Sequence, residues 1–442
     1  VRGRRIQDKN GPPPASSARD IVSRKSLQGV VAAPPSKSVT QRALVVASLA
    51  RGRSFLRRPL LGGDGTTLVN ALRSAGLEII EDPAAEVLGI DGAPGLPAGP
   101  AQALALGNAG TAMRFLTARL ATEEREFVLD GDPRMRERPI EPLLRALRAL
   151  GAHAAAQMGN GCPPVRVGGV RPPGGRAALD GAQSSQFLSG LLMAGPAFSG
   201  GVEVDIEASL VSRPYAGITI DVMRRFGVEV HTDAPLATAR CFSVPADRSY
   251  RAADLTIEGD WSSASYFLAA AAIVPGRVQV TGVVQDSAQG DRRFAELLEG
   301  AGCRVERGPL AVTVTGSGTL RALDADLGDC PDIAPTAAVV ALFADGTTRL
   351  RGLAHLRLKE SDRIAALCSG VEALGGDARP EPDGVTIVPR RLHGGVVDPH
   401  GDHRMAMAFA IAGLRVPGVR ILDPDCVVKS YPEFWRDFDA LA

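Results

Sequence analysis

Two kinds of apolar periodicity alternate along the chain. In "NALRSAGLEII", "LLRALRALGAHA", "DVMRRFGVEVH", "ELLEGAGCRVE" and "GVEALGGDARP", apolar residues recur every three or four positions, then a Gly, then an alternating stretch. That order predicts a half-buried helix, a left-handed Gly cap and a strand. The glycines concerned, Gly76, Gly151, Gly227, Gly302 and Gly375, stand roughly 73 to 76 residues apart, which marks an internal repeat. A second set of segments is apolar on nearly every face: "SKSVTQRALVVASLA", "GNAGTAMRFLTARLA", "AQSSQFLSGLLMAGP", "GDWSSASYFLAAAAI", "PDIAPTAAVVALFA" and "GDHRMAMAFAIAGL". A helix with no polar face has to be enclosed by protein. Between the helices, "VEVDIEA", "RVQVTGV", "AVTVTG", "TRLRGL" and "GVTIV" alternate and are β-branched, predicting strands with one wet face.

These elements predict an α/β fold of six repeated units, with one helix set enclosed and the sheets outside. Each unit is longer than the roughly 20–45 residues of common solenoid repeats, so closed lobes fit better than an open array. The expectation is a two-lobed inside-out α/β barrel with three units per lobe. One lobe spans 36–256. The other combines the strand at 28–35 with 257–442, because the last unit needs both chain ends to close. Residues 1–27 are basic and Pro/Ser-rich and have no apolar stretch of a secretory signal; being Arg-rich they leave an organelle transit peptide as the alternative, though without a clear amphipathic pattern. They predict a disordered tail.

At 442 residues and 45% hydrophobic composition, the chain can bury a large core. A net charge of +1 argues against nucleic acid or a membrane surface as the main partner. The longest apolar runs fall short of the roughly 20 residues of a membrane span. Six cysteines, Cys162, Cys241, Cys303, Cys330, Cys368 and Cys426, are scattered singly, predicting a cytoplasmic protein with neither disulfides nor a zinc site.

The starts of the enclosed helices carry the candidate chemistry. They hold Lys37, Ser38 and Arg42; Asn108, Gly110, Thr111 and Arg114; Ser184, Ser185 and Gln186; Asp260, Ser262 and Ser263; Asp332; and Asp402, His403 and Arg404. Ser, Asn and Asp at such positions are ordinary caps. Lys, Arg and Gln are not, and burying them is costly without a partner. Helix N-termini also present free N–H groups and the positive dipole end. The pattern predicts a cleft for a multiply anionic ligand. Only five of the 50 basic residues are Lys, and Lys37, Lys359 and Lys429 are those beyond the tail. Further cations come from Arg134, Arg136 and Arg138 in "GDPRMRERPIEPLL" and from "RLKESDRIAAL", which sets Lys359, Glu360 and Arg363 within one turn. Glu360 and Arg363 also read as an exposed i, i+3 pair. Glu360 and Asp332 supply carboxylates for proton transfer. No G-x-S-x-G elbow, Walker A loop or metal-ligand spacing is present.

The segments "PPSKSVTQRAL", "LGNAGTAMRFL", "GDPRMRERPI", "SSQFLSGLLMAGP", "LVSRPYAGITIDVMRRFGV", "EGDWSSASYFLAAAAI", "PDIAPTAAVVALFADG", "LRLKESDRI", "GDHRMAMAFAI" and "DPDCVVKSYPEFW" resemble, in order, the motifs of the EPSP synthase family. The resemblance covers about 28 to 442. It implies a two-lobed fold and transfer of the enolpyruvyl group of phosphoenolpyruvate to the 5-hydroxyl of shikimate 3-phosphate, through a non-covalent tetrahedral intermediate, on the route to chorismate and the aromatic amino acids. It implies that Lys37, Ser38, Arg42, Ser184, Ser185, Gln186, Ser212, Asp332 and Lys359 contact shikimate 3-phosphate. Phosphoenolpyruvate falls to Lys37, Asn108, Gly110, Arg138, Gln186, Arg363, Arg404 and Lys429. Asp332 takes the hydroxyl proton, and Glu360 with Lys37 handles the proton at the methylene carbon. No cofactor or metal is implied, the substrates are the only partners, and the chain is expected to be a monomer. Phe115 stands where many members have Pro, His355 where some have Asn, and Trp261 where Ala is frequent; Gly110 is retained, implying sensitivity to the inhibitor glyphosate. The sister transferase acting on UDP-N-acetylglucosamine carries a reactive Cys where this chain has "GDPRMRERP", and none of the six cysteines lies there. The remaining alternative is a non-catalytic anion-binding repeat protein.

Overall fold

A computed structural model describes residues 18–441. Twelve α-helices occur among them: α1 (Lys37–Leu49), α2 (Asp64–Ala75), α3 (Gly110–Leu120), α4 (Glu141–Ala149), α5 (Gln186–Ala194), α6 (Arg213–Arg225), α7 (Trp261–Ile273), α8 (Arg293–Gly300), α9 (Ala334–Ala341), α10 (Arg363–Ala373), α11 (His403–Arg415) and α12 (Phe434–Asp439). The odd-numbered helices are the segments without a polar face. Every residue of α7 and α9 is buried, as is α11 from His403 to Leu414. The even-numbered helices are amphipathic; α4, for instance, buries Leu143, Leu144, Ala146 and Leu147 and leaves its arginines outward. The five glycines that follow α2, α4, α6, α8 and α10 all adopt positive φ, from +76° at Gly375 to +112° at Gly76. Only Gly takes that turn without strain, so each helix stops there and the chain doubles back into a strand.

One pairing scheme governs the sheets. In the sheet of Gln102–Ala105, Glu126–Asp130, Val165–Gly168 and Ala154–Ala156, the first pair is parallel and the other two are antiparallel. Parallel neighbours need a crossover, and α3 supplies it. The same order recurs in the four-stranded sheets built around Val202–Leu210 and Thr348–Arg351, with α5 and α9 as crossovers. The two remaining four-stranded sheets exchange their leading strands. Leu27–Ala32 runs parallel to Gly276–Thr281, whereas Asp254–Thr256 runs parallel to Gly52–Arg57. The chain therefore crosses twice between two separate apolar cores. One core takes residues from Val39 to Ile257, the other Ile21 to Ala33 and Trp261 to Leu441. The crossings lie side by side: Ser36 donates to the Glu258 carbonyl at 2.8 Å, and Asp260 donates to that of Pro34 at 2.8 Å.

Two expectations are corrected here. Residues 1–17 of the expected tail lie outside the described residues, but its remainder is ordered. Ala18–Asp20 pairs antiparallel with Arg420–Leu422, and Ile21 is buried against Gly413. Arg19 pairs with Asp439 and its guanidinium lies 4.5 Å from the Trp435 ring centroid. It is this strand, not the one at 28–35, that completes the last sheet, on the side of Arg420–Leu422 opposite Val396–Val397. A three-residue strand is too short to show alternation, and its stability comes from partners some 400 residues away.

Deleting residues 1–26 removes the Ile21 burial and the Arg19–Trp435 contact, and is expected to destabilise the protein by about 2–4 kcal/mol. The shift of the urea unfolding midpoint checks this; an unchanged midpoint would contradict it.

Candidate active site

The starts of the enclosed helices meet at the junction of the two cores. From the first core come Lys37 at the opening of α1, the bare start of α3 at Gly110, and Ser184, Ser185 and Gln186 at the start of α5. Ser212 enters ahead of α6 with a positive φ of 54°, a strained setting for a non-Gly residue. It is held by its own N–H, which donates to the Gly328 carbonyl across the junction at 3.0 Å. From the second core come Asp332 in the turn Pro331–Ile333, Lys359 and Glu360, Arg363 at the start of α10, Arg404 in the first turn of α11, and Lys429. They converge on one polar space.

Arg363 organises the carboxylates. It is 2% exposed. Its Nε lies 2.8 Å from Asp402 Oδ2, and its two terminal nitrogens lie 3.0 Å from Asp332 Oδ1 and 2.9 Å from Glu360 Oε2. Arg404 reaches Asp332 Oδ2 at 2.6 Å. Burial opposes ionisation of Asp332, but Arg404, Arg363, Lys359 and Lys37 outweigh it and hold the carboxyl far below its usual range. Glu360 behaves alike, with burial overcome by Arg363, Arg138, Lys429 and Lys37. Asp64 takes Lys37 on one oxygen and Lys429 on the other, each at 3.5 Å.

Three cations have no such partner. Among the described residues no carboxylate lies within ion-pair distance of Arg42, Arg138 or Lys359. Arg42 is 1% exposed and donates from Nε to Thr219 Oγ1 at 2.7 Å, with the Phe115 ring 5.1 Å away. Burial pushes its guanidinium down to about 10. Arg138 donates to Asn108 Oδ1 at 2.9 Å and passes over the bare Cα of Gly110, where a Cβ would lie 2.4 Å from a guanidinium nitrogen. Lys359 is pushed down to about 8 by burial and by Arg363 and Arg138, against the pull of Asp332 and Glu360. Buried cations without counter-ions are unfavourable until an anion joins them.

Lys37, Ser38, Arg42, Arg138, Ser184, Ser185, Gln186, Ser212, Asp332, Lys359, Glu360, Arg363 and Arg404 all line this one space. Asn108, Gly110 and Lys429 stand just behind: Lys429 donates to the Asn108 carbonyl at 2.8 Å, and both Asn108 oxygens face Arg138. Two expected clusters are rearranged. Of the three arginines in "RMRER", only Arg138 reaches the cleft. Arg136 pairs with Asp130, and Arg134 bridges the two cores by donating to the Arg357 and Lys359 carbonyls. Lys359 and Glu360 do not share a helical turn with Arg363, since α10 begins at Arg363 and Lys359 is extended. The Glu360–Arg363 pair is buried, not exposed.

Sequence pattern left the partners of several residues unassigned. Thr111 accepts from Gln186 Nε2 at 3.0 Å, and Tyr215 places its hydroxyl 3.0 Å from Asp332 Oδ2. Asp402 reads as a helix cap, and does accept from Arg404 N at 3.0 Å, yet it also pairs with Arg363. His355 has its Nε2 3.4 Å from Ser212 Oγ. Burial, with Lys359 and Arg363 nearby, pushes His355 down to about 3, so it stays neutral. The grouping Glu203, Asp205 and Cys241, whose ligand atoms lie close enough for a metal ion, does not line the cleft, and Arg176 pairs with both of its carboxylates.

The family model of EPSP synthase (3-phosphoshikimate 1-carboxyvinyltransferase) matches residues 21–438. The 3-phosphoshikimate 1-carboxyvinyltransferase of Methanoculleus marisnigri is 44% identical over 405 residues, covering 91% of this chain and 94% of its own. That of Methanosphaerula palustris is 44% identical over 407 residues, with the same shares covered. Among solved structures, EPSP synthase of Acinetobacter baumannii superposes with a TM-score of 0.78 at 29% identity, over 96% of this chain and 97% of that one.

Gly110→Ala drives a methyl group into the Arg138 guanidinium, which has to shift from its place in the cleft. Loss of one charged hydrogen bond, about 1.5–3 kcal/mol, is expected to weaken binding of inorganic phosphate roughly 10- to 100-fold with little change in melting temperature. Calorimetric titration checks this, and an unchanged affinity would contradict it.

Proposed function

Because the chain belongs to the EPSP synthase family and is a transferase that moves an enolpyruvyl group to shikimate 3-phosphate, we propose how its cleft divides that work. Shikimate 3-phosphate lies on the side of Lys37, Ser38, Arg42, Ser184, Ser185, Gln186, Ser212 and Lys359, with its 5-hydroxyl at Asp332. Phosphoenolpyruvate lies against Asn108, Gly110, Arg138, Arg363, Arg404 and Lys429, with Lys37 and Gln186 between the two ligands. The observation that supports this best is the pairing of buried, unneutralised cations with two carboxylates in one space. Each substrate carries a phosphate and a carboxylate, and so supplies the missing counter-charge.

Asp332 and Glu360 are too acidic in the empty cleft to take protons readily. An anion that draws Arg363 and Arg404 toward itself weakens their hold on both carboxylates and raises their proton affinity. Asp332 then takes the proton of the 5-hydroxyl as its oxygen bonds to C2 of phosphoenolpyruvate, while a proton is delivered to C3 from Glu360, assisted by Lys37. In the resulting non-covalent tetrahedral adduct, the bond from C2 to the phosphate oxygen breaks. Phosphate departs, and Glu360 takes a proton back from the methyl group, leaving the enolpyruvyl ether. Water is kept out by the contacts that join the two cores, which strengthens each charge interaction.

The same reading treats 36–256 as one lobe and 18–35 with 257–441 as the other, each made of three α/β units with the helices inside, closing on the substrates.

Asp332→Asn and Glu360→Gln are each expected to lower kcat about 10²–10⁴-fold without loss of fold. Phosphate release from phosphoenolpyruvate is the assay. Release that does not depend on shikimate 3-phosphate, or that survives both substitutions, would refute the assignment.

A further inference from the structure

Tyr215 has one hydroxyl proton and two carboxylates within reach. Its oxygen lies 3.0 Å from Asp332 Oδ2 and 3.2 Å from Asp291 Oδ2. Asp291 is 5% exposed, and its other oxygen has no hydrogen-bond partner. Asp332 is paired with Arg363 and Arg404, whereas no cation lies within ion-pair distance of Asp291 among the described residues. Two ionised carboxylates cannot both receive one proton. The arrangement is satisfied when Asp291 carries a proton of its own and donates it to the Tyr215 oxygen, freeing the Tyr215 proton for Asp332.

The turn Gly290–Arg292 that carries Asp291 is held firmly. Gln289 accepts from Trp261 N at 3.0 Å and donates to the Gly259 carbonyl and to Glu258 Oε1, each at 2.9 Å; Ser36 donates to it at 3.3 Å. It thereby ties the turn to both crossing peptides. Gly290 sits so close to the start of α6 that a Cβ there would lie 2.8 Å from Pro214. The packing of Gly290 on the Pro214 ring, besides their own hydrogen bond, sets Asp291 against Tyr215.

We propose that Asp291, as a neutral acid acting through the Tyr215 hydroxyl, is a positioning residue that fixes Asp332 in the orientation needed to accept the substrate proton. The proposal rests on the role given to Asp332 above. The groups that face Asp291 are Tyr215 from α6, Asp332 from the turn before α9, Asp260 at the start of α7, Arg404 from α11 and Cys330. Burial and the charges of Asp332 and Asp260 push Asp291 up to about 8, against Arg404 and the Tyr215 bond. Above that pH Asp291 ionises, the Tyr215 proton turns toward it, and Asp332 loses the donor that orients it.

The test is kcat and KM between pH 6 and 9.5. The parent kcat is expected to fall as pH rises through about 8. Asp291→Ala lowers kcat about 10- to 100-fold at pH 7. Asp291→Asn, whose amide donates as the acid does, restores it and removes the alkaline fall. Tyr215→Phe lowers kcat similarly with KM for shikimate 3-phosphate within threefold, and adding Asp291→Ala to it costs nothing further. Lys359, the other group near pH 8, bears on that KM and remains in every variant. An Asp291→Asn enzyme as impaired as the Ala variant, one that keeps the alkaline fall, or a Tyr215→Phe effect on KM alone would overturn the proposal. If Asp332→Asn retains full kcat, the role of Asp332 itself is wrong, which is a separate outcome.

Discussion

Like charges withdrawn from water repel one another, and this cleft gathers Lys37, Arg42, Arg138, Lys359, Arg363, Arg404 and Lys429 between two apolar cores. Everything else in the structure serves to hold them there. Four carboxylates, Asp64, Asp332, Glu360 and Asp402, neutralise part of the charge, three of them through the single guanidinium of Arg363. The remainder is left for a ligand. A fold that buries unpaired cations gives up stability to do so, and the two large cores make that tolerable. The start of α3, which has no side-chain cap, adds to the same field.

The exchange of leading strands explains how two cores come to share one site. Leu27–Ala32 belongs to one sheet system and the helix that follows it to the other; Asp254–Thr256 and α7 reverse the arrangement. The two crossing peptides are bonded to each other and to Gln289, so the cores are joined at one firm edge. Elsewhere they also meet through polar contacts, such as Arg134 with the Lys359 carbonyl and Lys429 with the Asn108 carbonyl. Apolar burial fixes each half, whereas hydrogen bonds and charge fix how the halves meet.

The helices and the turns that end them were legible in the sequence. Apolar periodicity marked the enclosed and amphipathic helices, and Gly76, Gly151, Gly227, Gly302 and Gly375 marked where the latter stop, because few other residues tolerate that turn. The strand Ala18–Asp20 carried no such signal. In the site, the helix starts announced themselves by placing Lys37, Gln186 and Arg404 where a simple cap would do. Arg363 was harder to weigh, since an i, i+3 spacing to Glu360 looks the same on a surface as in a buried hub. Asp64, Tyr215 and Asp291 were invisible as site residues. Their meaning lies in partners 117 residues away in one case and more than 300 in another, and one sequence records no such pairing.

If the cleft holds cations that lack counter-ions until substrate arrives, removing one should relieve the empty protein. Lys359→Met is the most direct probe, because the Lys359 ammonium has no carboxylate within ion-pair distance and is depressed to about 8. A lysine whose folded-state affinity for its proton is lowered destabilises the fold below that pH, and the penalty fades as pH rises from about 8 toward its ordinary value. Thermal melts at pH 7 with and without shikimate 3-phosphate should show a free variant at least as stable as the parent and no ligand-induced rise in Tm. A free variant that melts lower, with the ligand-induced rise intact, would contradict the account.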